Sequence, residues 1–365
     1  MKSLVINDLH LGVNRVAGTT QESLAALRDF SFLKHERLLH LAVPQLCNRI
    51  IINGDLTDAY DIPLALALRI YVDTARFLTA QHHIELIWAL GNHDLAKDSA
   101  KLGTVAFVGA LLAGAFPGRF KLVSKPTRLD DTYIIPHVVN QDVFDLELGR
   151  VPEGVKYLLL HCNMDNKFAA EAEHSLNLDR ETAKALKARG ITLVLGHEHQ
   201  GRELMKGSVL ITGNQYPTSI SDCLTHGDAQ KDGTKRALII DHDEGSHQFI
   251  TTWTPDDEGD GWFARADWRE LADVEEDGRG FIRVEGEAAV EEAADVIKAI
   301  SNFRSRSKSF VVANAVKVAT TEGLEDIADS IEDIRAVDVM ELLLDSLDPD
   351  QQAAVKKLLR ESCDA

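Results

Sequence analysis

Asp8-Leu-His10, Gly54-Asp55, Gly91-Asn92-His93-Asp94, His161 and Gly196-His197-Glu198-His199 follow one another along the chain, each directly after a short apolar run. Together they offer carboxylate and amide oxygens and imidazole nitrogens, without a thiolate. That donor set suits hard and borderline divalent cations such as manganese, iron or zinc, and not a structural zinc site. In extended or turning backbone, Asp-x-His and His-x-His can direct both outer side chains at one centre, while the middle residues Leu9 and Glu198 point elsewhere. Glycines before Asp55, Asn92 and His197 allow tight turns and leave room for ions and phosphate. A lone Gly-Asp or Asp-x-His means little; the whole series, in this order and at the ends of apolar runs, points to one shared metal site.

Such residues need elements that carry them to a common edge. Residues 3–7, 49–53, 84–90, 156–160 and 191–195 are short, β-rich and apolar, and read as buried strands. Helical patterns at 21–43, 63–81 and 178–189 lie between them, giving the strand–helix alternation of an α/β layered domain. In such folds ligands sit beyond the carboxyl ends of the strands, where all the pieces above are found. From 208 to 254 the pattern turns to short extended segments. The run DDEGDG at 256–261 then reads as a solvated linker, with a domain boundary near 255. Beyond it, 281–287, 288–300 and 309–318 form a strand–helix–strand unit. Amphipathic segments at 337–347 and 350–361 end the chain, the second introduced by Asp348 as N-cap and Pro349 at the first helical position.

Length and composition are permissive. At 365 residues and 45% hydrophobic content the chain can bury a large core and is expected to form about two domains, at roughly 150 residues each. No apolar stretch approaches the roughly 18 residues that span a bilayer, and the N-terminus has no signal-peptide pattern, so a cytoplasmic protein without a membrane partner is expected. Cys47, Cys162, Cys223 and Cys363 are scattered, which predicts reduced thiols and no disulfide framework. The formal charge of −19 argues at first against nucleic acid. Its distribution removes that exclusion: residues 256–365 hold 13 basic and 28 acidic side chains, against 26 and 30 in residues 1–255, where several acids are metal-ligand candidates.

The motifs resemble the calcineurin-like metallophosphoesterase superfamily, whose pattern runs DxH, GD, GNH followed by Asp or Glu, H, and GHxH; the match spans about residues 4–200. The resemblance implies two divalent ions. Asp8, His10, Asp55 and His199 would hold one and Asp55, Asn92, His161 and His197 the other, with Asp55 bridging. It further implies that His93, beside a ligand but not one itself, protonates the leaving oxygen, with Asp94 orienting it. His35, His40, His82, His83, His137, His174, His226, His242 and His247 have no spacing that ties them to the site and read as surface or satisfied polar residues.

Within the superfamily, Gly54-Asp55-Leu-Thr57-Asp58 with Pro63 is similar to the GDxFD…P stretch of SbcD-type DNA exonuclease subunits, although Thr57 stands where those usually have Phe. Gly213-Asn-Gln-Tyr-Pro217-Thr-Ser219-Ile-Ser-Asp222, followed by Arg236–Asp241, also resembles that family. The implied architecture is α/β. Layered, sandwich-like sheets flanked by helices make a nuclease domain at 1–255, followed by a small α+β capping domain at 256–320 and a helical segment at 321–365 that binds an ATPase. The implied cofactors are two divalent ions, manganese first, with iron, zinc or magnesium as alternatives. DNA, an SMC-like (SbcC-type) ATPase and a second copy of the chain are the implied partners. Arg304, Arg306 and Lys308 form a basic cluster that could meet a DNA backbone or stand solvated. The rival readings are a stand-alone phosphodiesterase or phosphatase acting on a small molecule or phosphoprotein, and a non-catalytic scaffold; the complete ligand set speaks against the last.

Overall fold

The computed structural model describes residues 1–14, 16–96, 101–166, 175–223, 234–254, 262–274 and 280–319. The linker at 256–261, the segments at 337–347 and 350–361, His174, His226 and Cys363 lie outside them. Two six-stranded sheets face each other. The first has the order Ser246–Trp253, Lys235–Asp241, Lys2–Ile6, Arg49–Asn53, Glu85–Ala89, Phe120–Val123. Its last four strands run parallel, and the two before them antiparallel. The second has the order Arg202–Leu204, Val209–Ile211, Thr192–Gly196, Tyr157–His161, Thr132–Ile135, Thr127–Leu129, parallel except at its two edges.

Strand residues alternate between two cores. Val5, Ile51 and Ile87 pack with Ile134, Leu159 and Val194 between the sheets. Leu4, Ile6, Ile50, Ile52, Leu86 and Trp88 face outward, where residues of helices Gln21–Leu41, Leu64–Ala80 and Thr104–Ala115 cover them. Leu158, Leu160, Leu193 and Leu195 do the same on the other side, beneath helices Gln141–Gly149 and Arg180–Ala188. Burial on both faces is why these strands are apolar without a break, and the layers run helix, sheet, sheet, helix.

The compact body comprises Met1–Glu285 and Lys298–Ala315; Gly286–Ile297 and Val316–Ala365 form a second unit. A parallel three-stranded sheet, Phe263–Asp267, Phe281–Glu285 and Val311–Asn314, belongs to the body. It is tied in by Trp262, Phe281 and Phe310, which pack with Phe30 and Trp253 at ring-centroid distances of 5.2–6.3 Å. The Val312 amide also donates to the Gly18 carbonyl at 2.9 Å. In the second unit, Glu287–Ala289 pairs with Lys317–Ala319, so the helix expected from 288 begins at Ala293 and the strand expected over 309–318 is divided.

Candidate metal centre

The chain leaves the sheets abruptly at the site. Asp8, His10, Asp55 and His197 all adopt left-handed backbone, with φ of 52°, 44°, 50° and 86°. For non-glycine residues each costs about 1–3 kcal/mol, which the surrounding bonds must offset. The first two loops are zipped together by main-chain bonds: Asp8 N to Gly54 O, Leu9 N and His10 N to Asp55 O, and Leu11 N to Leu56 O, at 2.9–3.1 Å. Gly54 has φ 91°, and a Cβ there would overlap the His161 ring; one at Gly91 would overlap Asp55. Glycine at both positions is therefore a steric requirement of the cluster.

All seven expected ligands converge. His10 Nε2 lies 3.0 Å from His199 Nε2, and His161 Nε2 is 3.2 Å from Asp55 Oδ2 and 3.8 Å from Asp8 Oδ1. Asn92 Oδ1 is 3.1 Å from His161 Nε2 and 3.0 Å from His197 Nδ1. Asp8, His10 and His199, and separately Asp55, His161 and His197, can each bring ligand atoms within 4.8 Å of one another. Asp8, His10, Asp55 and His161 are buried, Asn92, His197 and His199 half-buried, and His93 exposed. Glu198 turns away to accept from Met164 N and to pair with Arg202, and Leu9 is buried in the core.

The ring nitrogens are prepared for cations. His161 Nδ1 donates to the Asn53 carbonyl at 2.9 Å and His199 Nδ1 to Asp222 Oδ1 at 2.8 Å, which aims both Nε2 atoms at the cluster. His10 is buried, and its Nδ1 has no hydrogen-bond partner. Nitrogens facing each other at 3.0 Å, with buried carboxylates around them, fit two divalent ions in the arrangement the motifs imply. Among themselves the side chains balance charge with protons. Burial would lower His161, but Asp55, a hydrogen bond to it and Asp8 hold it up at about 10. Burial likewise opposes a proton on His199, and Asp222 overrides it, to about 9. Burial and a neighbouring imidazole push His10 and His197 down to about 3. Asp55 stays well below the ordinary carboxylate range: burial would raise it, and His161 outweighs burial.

Asp94 departs from its expected role. It was to orient His93; instead its carboxylate accepts from Gly91 N at 2.9 Å, Thr57 N at 3.0 Å, Thr57 Oγ1 at 3.1 Å and Leu56 N at 3.4 Å. Those bonds lace the Asp55 loop to the Asn92 loop and leave none for the imidazole. His93 is oriented by the Asp58 carbonyl, which accepts from its Nδ1 at 2.6 Å, and its amide donates to Asp55 Oδ1 at 2.9 Å. Asp58, Asp222 and Asn7 were not anticipated in these roles. Asn7 bonds Asp8, Thr212 and Gly213 O, joining the first strand to the segment after GHxH. Arg304 and Arg306 donate to the Val312 and Leu271 carbonyls, so they brace the small sheet.

Residues 1–201 match the calcineurin-like phosphoesterase family. No curated protein matches the chain. Among solved structures it is similar to an archaeal phosphodiesterase at 12% identity, over 69% of this chain and 99% of that one, with a TM-score of 0.32. It is similar to the Pseudomonas putida nuclease MPE at 16%, over 65% and 83%, TM-score 0.27. It is also similar to a dimetal phosphatase from Danio rerio at 10%, over 69% and 99%, TM-score 0.33. Likeness this distant carries no argument about substrate. The family match coincides with the span that holds every ligand, and on that ground the chain belongs to the calcineurin-like phosphoesterases, dimetal-dependent phosphoester hydrolases.

Proposed function

We propose that this hydrolase is a DNA nuclease subunit, an exonuclease or endonuclease that cleaves phosphodiesters with manganese and works with an SMC-like ATPase. The observation that carries the reading is the gradient of exposure across the site: a buried floor of Asp8, His10, Asp55 and His161 beneath a rim where Asn92, His197 and His199 are half-buried and His93 is exposed. Such a rim suits a phosphodiester in a polymer lying across the surface. The SbcD-like segments around Asp55 and after GHxH support the same choice. Their residues Thr57, Asn214, Gln215 and Tyr216 pack against the site loops: Tyr216 Oη donates to Leu9 O at 2.6 Å, and Gln215 accepts from Asn7 N at 2.8 Å.

Bound divalent ions supply an activated water and neutralise the charge that develops on phosphate. The chain's own residues do the rest. Asp8, His10, Asp55 and His199 would hold one ion, and Asp55, Asn92, His161 and His197 the other. His93, its Nδ1 fixed on the Asp58 carbonyl and its ring beside His10 and Asp55, has Nε2 left to carry the proton for the departing 3′ oxygen. The test compares bis-nitrophenyl phosphate, nitrophenyl phosphate and linear duplex DNA with manganese. Turnover of the diester and the duplex is expected; strong preference for the monoester contradicts the nuclease reading. Co-purification from the native source should recover a coiled-coil ATPase, and its absence favours the stand-alone phosphodiesterase.

A further inference from the structure

We propose that Asp222 is a positioning residue for the metal centre: it fixes the tautomer and aim of His199, and so governs how tightly one of the two ions is held. The inference rests on the dimetal reading above. Asp222 is 3% exposed and sits in a short 3-10 turn, Ile220–Cys223. Its two oxygens have separate duties. Oδ2 accepts from Thr218 N at 2.9 Å, Thr218 Oγ1 at 3.0 Å, Ser219 N at 2.9 Å and Ser219 Oγ at 3.0 Å. Oδ1 is left to the Nδ1 of His199, at 2.8 Å. With one oxygen held by four donors, the carboxylate cannot rotate, and the direction of the other oxygen is set.

The consequence falls on the far side of the imidazole. A proton kept on Nδ1 leaves the Nε2 lone pair for the cluster, where Nε2 stands 3.0 Å from His10 Nε2 and within reach of Asp8. Of the two other ligand rings that point Nε2 at the cluster, His161 is held at Nδ1 by a neutral backbone carbonyl, and His10 makes no hydrogen bond at Nδ1, the Asp58 carboxylate standing off at 3.8 Å. Asp222 therefore gives His199 a carboxylate hydrogen-bonded at Nδ1, which these two lack, and a carboxylate bonded behind an imidazole makes it a more basic ligand. Lys235, 1% exposed, donates to Asn214 Oδ1 at 2.7 Å and lies 3.5 Å from the His199 carbonyl, a buried cation beside the buried carboxylate. A carboxylate so enclosed is costly to bury, which makes a purely space-filling role a poor account of it.

The experiment measures Mn(II) binding to metal-stripped full-length protein by calorimetry, with the melting temperature of the metal-free form recorded alongside. The variants are Asp222→Ala, Asp222→Asn, His199→Ala and the Asp222→Ala/His199→Ala pair. Wild type is expected to bind two ions. Asp222→Ala should weaken one of them by about 10–100-fold and leave the other unchanged. Asp222→Asn, which keeps the shape and an acceptor oxygen, should fall between, and it carries the test if the alanine variant does not fold. On the His199→Ala background, Asp222→Ala should change nothing further. Unchanged affinity in Asp222→Asn, equal weakening of both ions, or an additional loss in the double variant would overturn the proposal. Failure of wild type to bind two ions would instead overturn the dimetal reading itself.

Discussion

At the scale of single residues, the proposed mechanism gives ligation and proton delivery to different side chains, so they should come apart under mutation. His93→Ala should leave both ions in place, by elemental analysis, while hydrolysis of bis-nitrophenyl phosphate falls by about 10²–10⁴-fold. Full activity would remove His93 from the acid role. Asp55→Ala should lose metal, and a variant that retained two ions would refute the bridging position. The convergence of the seven candidate ligands was legible from their types and spacing, because each lies at a strand end within its own short motif. Their supports were not legible: Asp222 is 23 residues from His199, and Asn7 meets Gly213 across 206. Thr57, the departure from the SbcD-like pattern, has a structural use, since its hydroxyl bonds Asp94.

His35 is a second residue whose sequence reading changes. Expected at the surface or satisfied, it is fully buried with neither ring nitrogen hydrogen-bonded, and burial lowers its pKa to about 4. Above pH 6.5 the ring is neutral in both the folded and unfolded chain and pH has no effect through it. As pH falls from 6.5 towards 4 the unfolded chain takes up a proton that the folded one refuses, so stability declines, by on the order of 3 kcal/mol in all. His35→Leu should flatten that part of the stability–pH curve in urea unfolding measured between pH 7 and 4; an unchanged slope would contradict a neutral buried ring.

At the scale of elements, the site depends on loops laced to one another, and Asp94 is the knot between two of them. Asp94→Ala would strand the amides of Gly91 and Thr57, at about 1–3 kcal/mol for each buried donor left unpaired. It should therefore lower the melting temperature and metal affinity together, whereas His93→Ala lowers neither. A stable Asp94→Ala protein with normal metal content would show the lacing to be dispensable. The strands were readable because burial on both faces leaves them apolar throughout. Helix Thr104–Ala115 escaped sequence reading because it is apolar nearly all round, follows Gly103 and has no side-chain cap. The helix expected from 288 starts later because Glu287–Ala289 pairs with residues thirty positions on, a long-range contact that local pattern does not encode.

At the scale of the whole molecule, the small parallel sheet is part of the main body, held by an aromatic cluster that no local pattern announces. Trp262, 6% exposed, is central to it. Trp262→Ala should cost about 3–5 kcal/mol and shift the main unfolding transition as one step. A separate, earlier transition confined to residues beyond 255 would instead support the boundary expected from sequence. No described helix is long and apolar enough to cross a membrane, and Cys47 and Cys162 are buried free thiols. In the proposed function, two ions held by these seven residues turn the chain into a phosphodiester hydrolase. The most direct test of that claim is the hydrolysis of bis-nitrophenyl phosphate by metal-stripped protein as Mn(II) is added stepwise. Activity should begin near zero and reach its plateau at two ions per chain; turnover that needs no metal, or no turnover at any metal load, would contradict the claim.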